Sequence, residues 1–144
     1  MIRKLTDEEI ARSRTAAKNA NRVLSRRRKE ITEQIVKLRR ASPTLVSEKV
    51  LRLENERAAL RDVSGLPVRL AIDGEELIIN YEFLQKFLRK LARSRWTIDI
   101  TVSDIGCLQV AYGRPPNYGK LELRGLPRYQ TVLLEDLPRV EIAR

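Results

Sequence analysis

The chain has 144 residues, 42% of them hydrophobic and 33% charged, with 29 Lys and Arg against 19 Asp and Glu, for a formal net charge of +10. That apolar share is enough for a folded core, which excludes a wholly disordered chain, and the length suits one ordinary domain or a small domain with a helical extension. There is no histidine and only one cysteine, Cys107. Histidine acid–base chemistry, Cys–His nucleophiles, histidine-ligated zinc and an intramolecular disulfide are therefore excluded.

Thr6 opens the first predicted helix. Glu9 follows three residues later and completes a capping box, and Asp7, Glu8 and Glu9 suit the positive end of the helix dipole. No Pro or Gly occurs from there to Ala41, so the helix should run for about 50 Å at 1.5 Å per residue. Lys37, Arg39 and Arg40 fall in its last turn. Ser42 and Pro43 read as a break and a restart, with Ser as N-cap and Pro at the first helical position. The second helix is expected over residues 43–63, closed by Gly65 as C-cap.

Apolar residues in the first helix recur every seven positions at Ile10, Ala17, Leu24, Ile31 and Leu38. Val46, Val50, Leu53 and Leu60 form a matching stripe in the second. Stripes this narrow suit a coiled-coil seam. They fit either an antiparallel helical hairpin within one chain or a homodimer through the helical arm. The first half of the longer helix is expected to project free or to meet another subunit.

Beyond Pro67 the pattern changes to strands. Residues 68–72 alternate, Asp73-Gly74 is a turn signal, and residues 76–79 complete a two-residue hairpin. Asn80 can cap a helix over residues 81–94 whose apolar face holds Phe83, Leu84, Phe87, Leu88 and Leu91. Further strands are expected at residues 96–102, 107–112, 120–124 and 131–134, with a short one at 140–142. A seven-residue loop over residues 113–119 should separate two of them. The fold class is thus α+β: a helical hairpin or coiled-coil arm over residues 1–64, then a small domain over 65–144 of an antiparallel sheet with one packed helix.

Charge is divided unevenly between these parts. Residues 1–64 hold 17 basic and 9 acidic residues, against 12 and 10 in residues 65–144. Arg14, Lys18, Arg22 and Arg26 lie at successive i+4 positions with Lys29 close behind. They make one cationic face roughly 150° from the heptad stripe. A solvated helix ordinarily mixes signs to gain i,i+4 pairs, and this one forgoes them, which phosphates would compensate. Arg26-Arg27-Arg28-Lys29 is the densest part, a candidate phosphate clamp.

The run over residues 21–29 resembles the basic region of leucine-zipper transcription factors. Val23-Leu24 replaces that family's small-residue pair, and Pro43 interrupts its continuous helix. A major-groove reader is therefore not the expectation. A second constellation interleaves aromatic and basic residues: Arg95 and Trp96; Tyr112, Arg114, Tyr118 and Lys120; Arg128 and Tyr129. Aromatics that stack bases beside cations that follow the backbone are the means of single-strand binding.

Catalysis has little support. Glu75-Glu76 follows a turn, Asp99 and Asp104 could meet across a hairpin to hold a metal, and no phosphate loop, CxxC or nucleophile elbow occurs. No metal or cofactor is expected. No apolar stretch approaches a membrane span, and no leader-like apolar core occurs at the N-terminus, so a cytoplasmic protein without membrane contact is expected. The functional expectation is a non-catalytic nucleic-acid-binding protein favouring single-stranded DNA or RNA. The alternatives are an accessory or viral subunit docking on a protein complex partner in replication, transcription or translation, and a structural component of a virion or of chromatin.

Overall fold

Thr6 caps the first helix as its sequence predicts. Its hydroxyl accepts from the Glu9 N–H, and the Glu9 carboxylate accepts from the Thr6 N–H, each at 3.2 Å. The computed structural model describes residues 2–42, 47–92, 97–114 and 116–142. Helix α1 runs over Asp7–Ala41. Arg3 holds both Glu9 oxygens at 2.6 Å, and one of its guanidinium nitrogens also donates to the Arg139 carbonyl.

The heptad stripe of α1 is buried, but against three partners in succession. Ile10 packs on the core of the sheets. Ala16, Ala17, Ala20 and Leu24 pack with Val63, Leu134 and Leu137. Ile31 and Ile35, with Leu38, meet Val50 and Leu53 of helix α2, Glu48–Ala59. The first half of α1 therefore does not project free, and its buried Ser13 hydroxyl donates to the Pro67 carbonyl at 2.7 Å. The patch shared by α1 and α2 is shorter than the three or four heptads that sustain a coiled coil.

Helix α2 differs from its expected bounds at both ends. Residues 43–46, where Pro43 and Val46 were expected to start it, lie outside the described residues. Ser42 instead closes α1, its N–H donating to Leu38, and Ser47 caps α2 by accepting from the Val50 N–H. The far end stops at Ala59 because other groups take the backbone beyond it. Asn21 brackets Val63, accepting from its N–H at 2.6 Å and donating to its carbonyl at 3.0 Å. Arg28 donates to the Leu60 carbonyl, and Gln130 to that of Arg61. Side chains that satisfy backbone groups in this way compete with the helix.

Strands β1 (Pro67–Ile72) and β2 (Glu75–Asn80) form the expected hairpin, closed between Ile72 and Glu75. Asp73 and Gly74 both take positive φ, +48° and +82°, as a type I′ turn requires. Asn80 caps helix α3, Tyr81–Ala92, by accepting from the Glu82 N–H at 3.0 Å. Strands β3 (Thr97–Val102), β4 (Cys107–Arg114) and β5 (Asn117–Arg124) make a separate antiparallel sheet. The β4–β5 ladder continues to Arg114 opposite Asn117, so residues 113, 114 and 117–119 of the expected seven-residue loop are paired strand instead.

No strand forms at 131–134: a four-residue helix, α4, covers Arg128–Thr131 and a turn follows it. Pro127 begins it with φ −63°, and its carbonyl accepts from both Gln130 and Thr131. Strand β6 (Arg139–Glu141) returns alongside β1 in parallel, so that sheet has the order β2-β1-β6.

One core cluster joins the two sheets to α3. Leu70 and Val68 of β1, Ile79 of β2, Leu84, Leu88 and Leu91 of α3, Leu108 and Val110 of β4 and Val140 of β6 form a single buried cluster. The α+β class holds. Cys107 is buried, as expected of a structural thiol. Among the described residues no helix is long and apolar enough to cross a membrane.

Candidate nucleic-acid interface

Burial of Ala16, Ala20, Leu24, Ile31 and Ile35 fixes which side of α1 meets water. Arg14, Lys18, Arg22, Arg26 and Lys29 all lie on that side and are exposed. Among the described residues none of the five has an acidic partner. Their Cα atoms span about 22 Å of helix axis. Small or short residues, Thr15 and Ser25, lie between them, so a phosphate backbone can approach without an intervening bulky side chain.

Arg27 and Arg28 belong to a different set. Arg27 pairs with Glu56 at 2.8 Å and with Glu30 at 3.6 Å. Its guanidinium is held protonated chiefly by the hydrogen bond to Glu56. Arg28 pairs with Asp62 at 2.8 Å and donates to the Leu60 carbonyl. Arg39 pairs with Glu54. These arginines fasten α2 and the chain that follows it to α1. The run 26–29 therefore divides, two cations turned outward and two spent on the fold.

The aromatic constellation is not one platform. Strand parity decides this, because alternate residues face opposite sides of a sheet. Tyr112 shares its side of β4 with the buried Leu108 and Val110, and its ring lies over Gly119, where an added Cβ would come within 2.5 Å of it. Tyr118, 66% exposed, shares the outer side of β5 with Lys120, Glu122 and Arg124. Tyr129 packs beside Leu134 and Leu137, and its hydroxyl accepts from the Arg61 N–H. Arg95 and Trp96 lie outside the described residues, as does the side chain of Arg114.

Arg128 is exposed and lines a groove of about 770 Å³ with Arg124, Ile105 and Leu126. Glu76 and Asp104 also line it, so its charges are mixed. Among the described residues no group of three or more acidic or cysteine side chains gathers where it could hold a metal ion. Glu76 is paired with Arg69 and Arg139.

Comparison with protein-family models, with curated proteins and with solved structures returns no match.

One surface was missed by the sequence reading. Phe83 was placed on the apolar face of its helix, but it is 53% exposed. Phe87 is only partly buried, and Lys86 and Lys90 are exposed beside it. The spacing i, i+3, i+4, i+7 puts all four on one side of α3. The sequence signal was available: five apolar residues in this helix span a wider arc than Leu84, Leu88 and Leu91 need to reach the core. Chemically, the chain thus presents a bare line of cations on α1 and an aromatic–cationic stripe on α3.

Proposed function

We propose that the protein is a non-catalytic nucleic-acid-binding protein whose helix α1 grips phosphates without reading sequence. The observation that carries this is the separation of the arginines on α1. Arg27, Arg28 and Arg39 have acidic partners, while five neighbouring cations on the opposite side have none among the described residues. Like charges at i+4 destabilise a helix by about 0.2–0.5 kcal/mol per pair, and a polyanion bound along the ridge removes that repulsion. Contacts to phosphate set position and affinity but carry no sequence information. A cytoplasmic setting, where DNA and RNA are within reach, goes with this function. A homodimer through the heptad stripe does not, because that stripe is occupied within the chain.

The test is equilibrium binding to single- and double-stranded DNA and RNA as salt is raised. Five phosphates neutralised by α1 contribute about −3.5 to the log–log salt slope on single strands and about −4.5 on B-form duplex. Between about 50 and 200 mM salt the affinity then falls by about a hundredfold to five-hundredfold. No binding to any of the four at the lower salt ends the proposal.

A further inference from the structure

We infer that the stripe Phe83–Lys86–Phe87–Lys90 on α3 is a base-stacking site for single-stranded nucleic acid; this rests on the phosphate-gripping role of α1 and adds a preference to it. The core does not need Phe83. Leu84, Leu88 and Leu91 already supply the buried face of α3, each 8% exposed or less. Phe87 lies partly against the core and forms a backing beside Phe83. Lys86 and Lys90 flank the rings, and among the described residues neither has an acidic partner.

The charge of the stripe selects among occupants. A second copy of α3 laid on the first would bring four lysines together. A duplex keeps its base faces stacked inside and offers an exposed ring nothing to stack on. A single strand offers both partners the stripe lacks, an unstacked base for the ring and phosphates for the lysines. Neither the sheet face bearing Tyr118 nor the ring of Tyr112 matches this. Tyr118 shares its strand face with Glu122 as well as Lys120 and Arg124, and Tyr112 covers Gly119.

The experiment compares the full chain with its Phe83→Ala and Lys86→Gln/Lys90→Gln variants. Affinity for an oligothymidylate and for a duplex of equal length is measured by fluorescence anisotropy, and oligomeric state by light scattering. Phe83 is exposed, so its removal leaves the fold intact, which far-UV circular dichroism checks. Phe83→Ala is expected to weaken single-strand binding by about 5- to 150-fold, the range set by one base stacked on an aromatic, with duplex binding unchanged. The double lysine variant lowers the single-strand salt slope by about 1.4.

Unchanged single-strand affinity in Phe83→Ala overturns the inference. So does an equal loss on duplex, or a dimer that Phe83→Ala dissociates while single-strand binding persists. Failure of the α1 reading is separately visible. Neutralising Arg14, Arg22 and Arg26 would then leave both affinities intact while Phe83→Ala still lowers the single-strand one. Absence of binding to both forms overturns both readings.

Discussion

Neutralising two sets of arginines on the same helix should produce two different phenotypes. Arg14, Arg22 and Arg26 are exposed and unpaired among the described residues, so changing all three to Gln should remove the three phosphate contacts proposed for them while breaking no ion pair within the fold. The salt slope should fall in magnitude by about 2.1 on single strands and about 2.7 on duplex. Lys18 and Lys29 then leave a contribution from α1 of about −1.4 on single strands and about −1.8 on duplex. Stability should stay level or rise slightly, since like-charge neighbours at i+4 are removed.

Changing Arg27 and Arg28 to Gln should act the other way. Their ion pairs are partly exposed, with side chains of 40% against 44% for Arg27–Glu56 and 29% against 55% for Arg28–Asp62. Pairs of that exposure contribute about 0.2–1 kcal/mol each, and Arg28 adds a hydrogen bond to Leu60. The double variant should lose about 1–3 kcal/mol of stability in urea unfolding, with its salt slope nearly unchanged. Anisotropy titrations across a salt series and urea melts on the same preparations read both quantities. The reasoning is refuted if the Arg27/Arg28 variant flattens the salt slope as much as the triple variant does.

Three further expectations concern what holds α1 in place. Asn21→Ala removes both hydrogen bonds to the Val63 backbone and leaves a partly buried N–H and carbonyl without their partner. It should cost about 2–3 kcal/mol in urea unfolding, and a loss below about 0.5 kcal/mol would show that water replaces the amide. Gly65→Ala places a Cβ at φ +71°, within 2.0 Å of the Asn80 amide that holds Ser64 and caps α3. It should cost more than the roughly 1 kcal/mol of a left-handed alanine, and a melting temperature equal to the wild type would contradict the packing. Glu9 is held at a pKa of about 2, first by its hydrogen bond to Arg3 and then by that to the Thr6 N–H. A carboxyl whose folded pKa is lowered contributes stability above its unfolded value, near 4.3, and loses it as pH falls toward 2. Unfolding free energy should therefore drop between pH 5 and pH 2 more steeply in the wild type than in Glu9→Gln; parallel curves would refute it.

Local signals were the legible part of this sequence. Thr6 with Glu9, Asp73-Gly74 and Asn80 each name a cap or turn through chemistry contained within a few residues, and each appears where expected. What misled were signals whose meaning depends on distant partners. The heptad stripe of α1 was correctly read as buried, but periodicity cannot say that Ala17 joins the cluster of Leu137 while Ile31 joins that of Val50. The length of α2 was overread because Asn21, Arg28 and Gln130, all far from it in sequence, claim the backbone after Leu60. The four-cation clamp was half legible: composition shows charge, but only the positions of Glu56 and Asp62 show that Arg27 and Arg28 are occupied. Strand parity alone separates Tyr112 from Tyr118, and it required the true extent of the β4–β5 ladder.

The energetics of α1 explain why one helix can hold a ridge of cations that have no acidic partner among the described residues. Three i+4 neighbours, 14/18, 18/22 and 22/26, and the i+3 pair 26/29 together oppose the helix by about 1–2 kcal/mol. A free helix with such a face would be marginal, since helical stability in water comes mostly from the packed side. Leu24, Ile31 and Ile35 are each 3% exposed or less, and burying such side chains contributes about 1.5–3 kcal/mol apiece. Packing therefore exceeds the repulsion several-fold, and it does so along the length of the ridge: Ser13 on β1, Ala20 and Leu24 beneath its middle, Ile31 just past Lys29. The cations are thus displayed on a helix braced beneath them, and little ordering of backbone remains to oppose binding. A ridge on an unbraced arm would have to freeze on contact and would bind more weakly for the same charge.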